Sequence, residues 1–324
     1  MKWLIIGDTH IRPQDLEEGE RLIAFIKNKI REHNIDCCVF LGDQSHYHDL
    51  AHNSVLGFWN NSFKDIANHC SHVFALKGNH DYEKGRSAHS MMYFKNIHNL
   101  TIVDDPLVFD NKLFIPHMSN SEFIDVCKSH NNIKVAFVHQ DFNGAMYENG
   151  FYAKNGINPQ EIPQDYIIGG HIHLTQKVGK LLLVGSPRWL TISDENVDKY
   201  IWITDFKNQL DKITTRSVCS PIWRFELHEG KELEIPGNLG IDPRVTIDVH
   251  GSVNFIASAR SNYEKMGFMV RSFPPKKYTV KVRESEGIVF SFNSFLEGHK
   301  SPNGTTVDRM KEIVKERIKW DRTI

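Results

Sequence analysis

The sequence predicts an α/β protein: a two-sheet α/β/β/α sandwich followed by a smaller α+β unit. Three observations carry that prediction. Short apolar runs alternate with helical stretches over the first hundred residues, the runs shorten after residue 99, and the texture turns strand-rich beyond residue 220.

Residues 2–6, 36–41 and 72–76 are apolar runs, each closed by a glycine with polar residues close behind. That is the profile of strands buried on both faces of a sheet. Between the first two, Leu16, Leu22, Ile23, Phe25, Ile26 and Ile30 fall near helical spacing and predict a helix over 15–33. Further helices fit 51–70 and 86–96. Strand–helix–strand repetition of this regularity calls for a largely parallel sheet with right-handed crossovers. The strand-like segments 112–115, 133–139, 166–169, 181–184 and 200–206 then make a second sheet, with helices on the outside of the sandwich. Farther on, one helix is expected near 253–266, and Pro274-Pro275 and the turn Ser301-Pro302-Asn303-Gly304 punctuate the chain. The expected division is 1–221, a separate small domain over 222–299, and a tail over 300–324.

At 324 residues the chain is long enough for one large domain and a smaller one. No apolar run approaches the length that crosses a bilayer, and the apolar start of the chain is too short for a signal peptide. Five cysteines are scattered without a CxxC pair, which argues against a zinc knuckle and for reduced, buried thiols in the cytoplasm. Residues 1–220 hold 22 basic and 26 acidic side chains, whereas the remainder is basic in balance, so any nucleic-acid footprint must be local.

Eighteen histidines are unusually many, and their positions decide what they mean. Five short motifs stand at the carboxyl ends of the expected strands: Gly7-Asp8-Thr9-His10, Gly42-Asp43-Gln44-Ser45-His46, Gly78-Asn79-His80-Asp81, Val138-His139-Gln140 and Gly169-Gly170-His171-Ile172-His173. In open α/β sheets the functional crevice lies off those strand ends, so all five converge on one point. Asp, Asn and His without thiolate form an oxygen and nitrogen donor set suited to Mn²⁺, Fe²⁺ or Zn²⁺ rather than Ca²⁺. His98, His130 and His250 lie outside the motifs and read as surface or satisfied polar residues.

DxH, GDxxxH, GNHD, a strand-end His and GHxH, in that order, resemble the signature of the calcineurin-like metallophosphoesterases. Gly185-Ser186-Pro187-Arg188-Trp189 with Asp194-Glu195-Asn196 further resembles the segment after GHxH in SbcD-type recombination and double-strand-break-repair nucleases, the phage-encoded members above all. Gln44-Ser45 departs from the apolar pair those nucleases often carry after the aspartate. The resemblance implies the metallophosphoesterase fold with a DNA-capping domain after Ile222. It implies one metal site of Asp8, His10, Asp43 and His173, and a second of Asp43, Asn79, His139 and His171, with Asp43 bridging. Two Mn²⁺ ions are the expected cofactor, with Mg²⁺, Fe²⁺ or Zn²⁺ as alternatives. His80 would protonate the leaving oxygen or stabilise charge, His46 would face the phosphate as a second histidine, and Asp81 would orient His80. Tyr47 is an alternative contact for DNA.

What the resemblance implies about activity is a Mn²⁺-dependent DNA nuclease, with 3′→5′ double-strand exonuclease and single-strand endonuclease action in the cytoplasm, or the host's if phage-encoded. Arg271, Lys276, Lys277, Lys281 and Arg283 would touch backbone phosphates, or else form a solvated strand face. A phosphatase or cyclic-nucleotide phosphodiesterase with the same dimetal site, and a non-catalytic DNA-end-binding scaffold, are the alternatives. In the tail, Thr305 and Asp308 make a capping pattern, and Val307, Met310, Ile313, Val314, Ile318 and Trp320 line one helical stripe. That stripe docks on its own domain or on another chain. The resemblance implies the second: an SbcC-type coiled-coil ATPase, with the nuclease as a homodimer within a heterotetramer.

Overall fold

Trp3, Leu4, Ile5 and Ile6 have no polar side chain to show to water, and the strand they form (β1, Trp3–Ile6) is buried on both faces. In the computed structural model, which describes residues 1–48, 51–82, 89–207 and 210–275, β1 is followed by helix α1 (Leu16–His33), β2 (Cys37–Phe40), α2 (Asn53–Ala67), β3 (His72–Leu76) and β4 (Leu100–Val103). The chain then forms β5 (Leu107–Phe109), β6 (Lys112–Ile115), α3 (Asn120–Ser129), β7 (Val135–His139), β8 (Tyr166–Gly170), β9 (Gln176–Val178), β10 (Leu181–Leu183), β11 (Tyr200–Thr204) and β12 (Asp211–Thr214). Last come β13 (Ile222–His228), β14 (Arg244–His250), α4 (Val253–Lys265) and β15 (Met269–Phe273).

The strands make two six-stranded sheets, ordered β12-β11-β1-β2-β3-β4 and β5-β6-β7-β8-β10-β9, and a three-stranded sheet β13-β14-β15. Alternation along β1 explains the layering. Leu4 and Ile6 pack with Leu22, Ile26 and Ile30 of α1 and Trp59, Phe63 and Ile66 of α2. Trp3 and Ile5 face the other way, into a layer shared with Phe114 and Phe137 of the second sheet. The Trp3 ring lies 5.5 Å from that of Phe137 and 5.9 Å from that of Phe74. On the outer face of the second sheet, Leu113, Ala136 and Val138 meet Phe123 and Cys127 of α3. The result is the α/β/β/α sandwich.

Three local expectations need correction. Tyr200–Thr204 does not join the second sheet; it pairs antiparallel with β1, Leu4 opposite Ile203, and extends the first sheet. Over 86–96 the described residues form only a 3₁₀ turn, Ser90–Phe94, which buries Met91 and Phe94. Asn120–Ser129 is a helix that the sequence reading passed over, although Ser119 and Glu122 cap it reciprocally.

The third sheet is parallel throughout, with α4 covering one face through Ile247, Val249, Ile256, Ala259 and Val270. On the opposite face Arg271 donates to both oxygens of Asp248, at 2.6 and 2.7 Å, and Arg224 shares that carboxylate. The Arg271 guanidinium is therefore occupied by an acid of its own sheet. Lys276, Lys277, Lys281, Arg283 and the tail over 300–324 lie outside the described residues.

Candidate metal centre

Five strand ends deliver the five motifs to one point. The approach is so close that glycine is required at two places. A Cβ on Gly78 would lie 2.1 Å from Asp43 Oδ1, and one on Gly42, whose φ is +113°, would lie 2.3 Å from His139 Nδ1. His10, Asp43 and His171 themselves take left-handed backbone conformations, at φ of 45°, 52° and 83°. Each such residue costs on the order of 1–3 kcal/mol and persists only where surroundings impose it. Here the backbone N–H of each is held: His10 donates to Asp43 O at 2.9 Å, Asp43 to Asp81 Oδ2 at 2.9 Å, and His171 to Asp8 Oδ1 at 2.8 Å.

Asp81 therefore positions the Asp43 turn, donated to also by Gly78 N at 2.8 Å, and does not orient His80. His80 is held by other groups. Its backbone N–H donates to Asp43 Oδ1 at 2.8 Å, its Nδ1 meets the His46 carbonyl at 2.5 Å, and the His48 ring stacks on it at 3.6 Å. With Nδ1 donating to that carbonyl, Nε2 is the atom left for chemistry.

All seven expected ligands are brought together. Asp43 Oδ2 lies 3.4 Å from both His10 Nε2 and His139 Nε2. Asn79 Oδ1 sits 2.9 Å from His139 Nε2 and 2.8 Å from His171 Nδ1. His173 Nε2 is 2.9 Å from His10 Nε2. Two donor groups emerge, His10–Asp43–His80 and Asp43–His139–His171, with donor atoms in each within 4.8 Å of one another. Asp43 belongs to both. The first group holds His80, which the sequence reading placed outside the ligand set. The ring of His46 stands 5.4 Å from that of His10 and 5.8 Å from that of His80, at the rim.

Charge in the centre is unevenly divided. Burial raises the Asp8 carboxyl above its usual range. Burial acts the same way on Asp43, but His139, His10 and His80 together outweigh it and hold Asp43 well below. For His139, burial disfavours the proton while Asp43, Asp8 and the Leu41 carbonyl favour it, and the balance lies at about 9. Burial takes His171 down to about 3, with His139 adding to the effect, and lowers His10 and His80 as well. His10, His80 and His171 are thus held neutral around the ionised Asp43 carboxylate, while His139 keeps its proton until a cation displaces it. Among the described residues, Asp8 Oδ2 and His10 Nδ1 are buried without any hydrogen-bond partner. A buried acceptor with no donor fits a cation, and ligand histidines must be deprotonated to bind one.

Supporting residues were less visible. Glu148 accepts from His173 N at 2.6 Å and lies 3.3 Å from its Nδ1, the carboxylate–histidine arrangement that fixes a ligand ring. No spacing signals Glu148. His117, two residues beyond β6, carries the same strand-end signal as His139; its ring stands 6.1 Å from His139 and 6.2 Å from His171. Buried Lys199 donates to the His173 carbonyl at 2.9 Å. A cavity of about 620 Å³ beside Trp202 and Leu182 opens at the opposite strand ends and takes no part.

Residues 1–174 match the family described as calcineurin-like phosphoesterase. The chain is 27% identical over 192 residues to the protein named "Putative phosphoesterase 244L" of Invertebrate iridescent virus 6, a stretch that covers 55% of this chain and 67% of that one. Among solved structures it is loosely similar to GAP50, the anchor in the inner membrane complex of Plasmodium, at a TM-score of 0.40 and 10% identity, covering 66% of this chain and 84% of that one.

Proposed function

The chain belongs to the calcineurin-like phosphoesterase family, and we propose that its centre hydrolyses the phosphodiester backbone of DNA. Family membership makes it a metal-dependent hydrolase of phosphoesters with a dinuclear centre. The observation that carries the reading is the Asp43 carboxylate, common to both donor groups. Asp8, His10, Asp43 and His173 would hold one ion and Asp43, Asn79, His139 and His171 the other, Mn²⁺ being the ion we propose. A bound pair of such ions brings a water within reach of deprotonation at neutral pH and offsets the charge of the phosphoryl group.

The chain's own residues supply the rest. Glu148 and Lys199 hold His173, and Asp81 holds the turn that presents Asp43. His80 and His46 stand at the open rim. With its Nδ1 proton held on the His46 carbonyl, His80 Nε2 carries a proton only in the imidazolium form. It is that form that would give one to the departing oxygen as the phosphorus–oxygen bond breaks, leaving His80 neutral. Support for DNA over a small phosphoester comes from the third sheet, which adds a unit beyond the residues that match the family. Linear duplex DNA, supercoiled plasmid, bis(p-nitrophenyl) phosphate and p-nitrophenyl phosphate, offered in parallel with Mn²⁺, test the reading. Degradation of DNA together with the diester is expected. Turnover of the monoester with DNA left intact would move the substrate to a small phosphate ester.

The role of His80 is separable from that of a ligand. His80→Ala should keep its bound metal while turnover falls by about 10²–10⁴-fold, the usual worth of one acid–base group. Metal loss in that variant, read by elemental analysis, would instead put His80 in the coordination sphere beside His10 and Asp43. An unchanged rate would remove it from the mechanism.

A further inference from the structure

Parallel pairing of β13 with β14 sets His228 opposite His250, and period-two alternation puts Glu226 on the same face as both. This is the face turned away from α4, far in sequence from the five motifs. His228 and His250 stack at 4.6 Å, and Phe273 of β15 stacks on His250 at 4.7 Å, so the rings form a ladder across all three strands. Glu226 Oε2 lies 3.5 Å from His228 Nε2. One donor atom from each of Glu226, His228 and His250 falls within 4.8 Å of the other two. The remaining acids nearby are engaged: Asp248 by Arg224 and Arg271, and Glu229 by Ser252.

His250 supplies the decisive detail. Its Nε2 is buried and has no hydrogen-bond partner among the described residues. A buried ring nitrogen without a partner is a costly arrangement for a group that does nothing. Two imidazoles and one carboxylate are a borderline donor set, suited to Zn²⁺ and short of the oxygen ligands that Ca²⁺ or Mg²⁺ require.

We propose that Glu226, His228 and His250 form a separate zinc site that ties β13 to β14 on the third sheet. Three protein donors leave a coordination position to water or an exogenous ligand. The site is independent of the Asp43 centre and does not rest on the reading of its substrate.

Equilibrium dialysis of the full chain against zinc chloride, followed by elemental analysis, tests it. His228→Ala and His250→Ala should each bind one zinc ion fewer per chain than the unaltered protein, with hydrolysis of bis(p-nitrophenyl) phosphate unchanged. Equal zinc content in the unaltered protein and both variants overturns the proposal. Should circular dichroism show that the histidine variants do not fold, Glu226→Gln decides, because its side chain is largely exposed. That change replaces the one anionic ligand of the three and should weaken zinc at this site by at least the roughly 10–100-fold that losing a mere supporting carboxylate costs. Zinc affinity unaltered in Glu226→Gln overturns the proposal equally.

Discussion

Asp43→Ala is expected to abolish hydrolysis and metal uptake together, with turnover lower by roughly 10⁴-fold or more, the scale for removing a group that acts as part of a unit. Asp43 alone belongs to both donor groups, its Oδ2 3.4 Å from His10 on one side and 3.4 Å from His139 on the other. Without it His139 loses the carboxylate that does most to hold its proton, the second site is left with no anionic ligand, and the first keeps only Asp8. The fold itself should survive. The backbone N–H that anchors the turn on Asp81 remains, and removing one of three neighbouring carboxylates relieves the repulsion that helps raise Asp8 and Asp81, the latter to about 7. The protein as it stands should gain about 2.7 kcal/mol of stability at a metal concentration a hundred times Kd, and the variant none of it. Elemental analysis and thermal melts with and without Mn²⁺ check this. Two ions per chain still bound to Asp43→Ala would refute the bridging role.

Local pattern and tertiary pairing account for what the sequence revealed and what it hid. β1, β2 and β3 were legible because strands buried on both faces must be apolar at every position, and glycine follows each where a ligand turn begins. The five motifs were legible for the same reason: Gly42 and Gly78 cannot be replaced without collision with His139 and Asp43. Sheet membership is not a local property. Tyr200–Thr204 has the same texture as the second-sheet strands, yet it pairs with β1 nearly two hundred residues away. In the described part of the 86–96 segment, where a helix was expected, a 3₁₀ turn is enough to bury Met91 and Phe94. Glu148 and Lys199 reach the site only through folding across long separations, so no spacing announces them, and Arg188 stood out only as part of the segment after GHxH, with no role attached. His117 is different; it carried the strand-end signal and was open to the reasoning that found His139.

Arg188→Met should destabilise the fold by about 3–5 kcal/mol, because it strands buried acids. The guanidinium is 1% exposed and lies beneath the β1 turn. It donates to the Thr9 carbonyl at 2.8 Å and the His10 carbonyl at 3.3 Å, and it pairs with Glu18 at 2.9 Å and Asp15 at 3.2 Å. Methionine fills similar volume but leaves Glu18 with only the Ser220 N–H and Asp15 with only Arg12. The pH dependence has a definite sign. Burial pushes the Asp15 carboxyl up, but Arg12 and Arg188 outweigh it and hold the group below its ordinary value. The stability so gained is fully present above the unfolded aspartate value near about 4 and is lost as pH falls through the lower, folded one. Arg188→Met should therefore lose stability at pH 7 and show a flatter acid limb than the unaltered protein. Because the same arginine holds the His10 carbonyl, Mn²⁺ affinity should also fall, by about 10–100-fold, the range for a group that orients a ligand. Urea midpoints from pH 3 to 7 and a Mn²⁺ titration measure the two effects separately. A midpoint unchanged at pH 7 would show that Arg188 does not hold the β1 turn, and weakened Mn²⁺ binding without loss of stability would confine it to positioning His10.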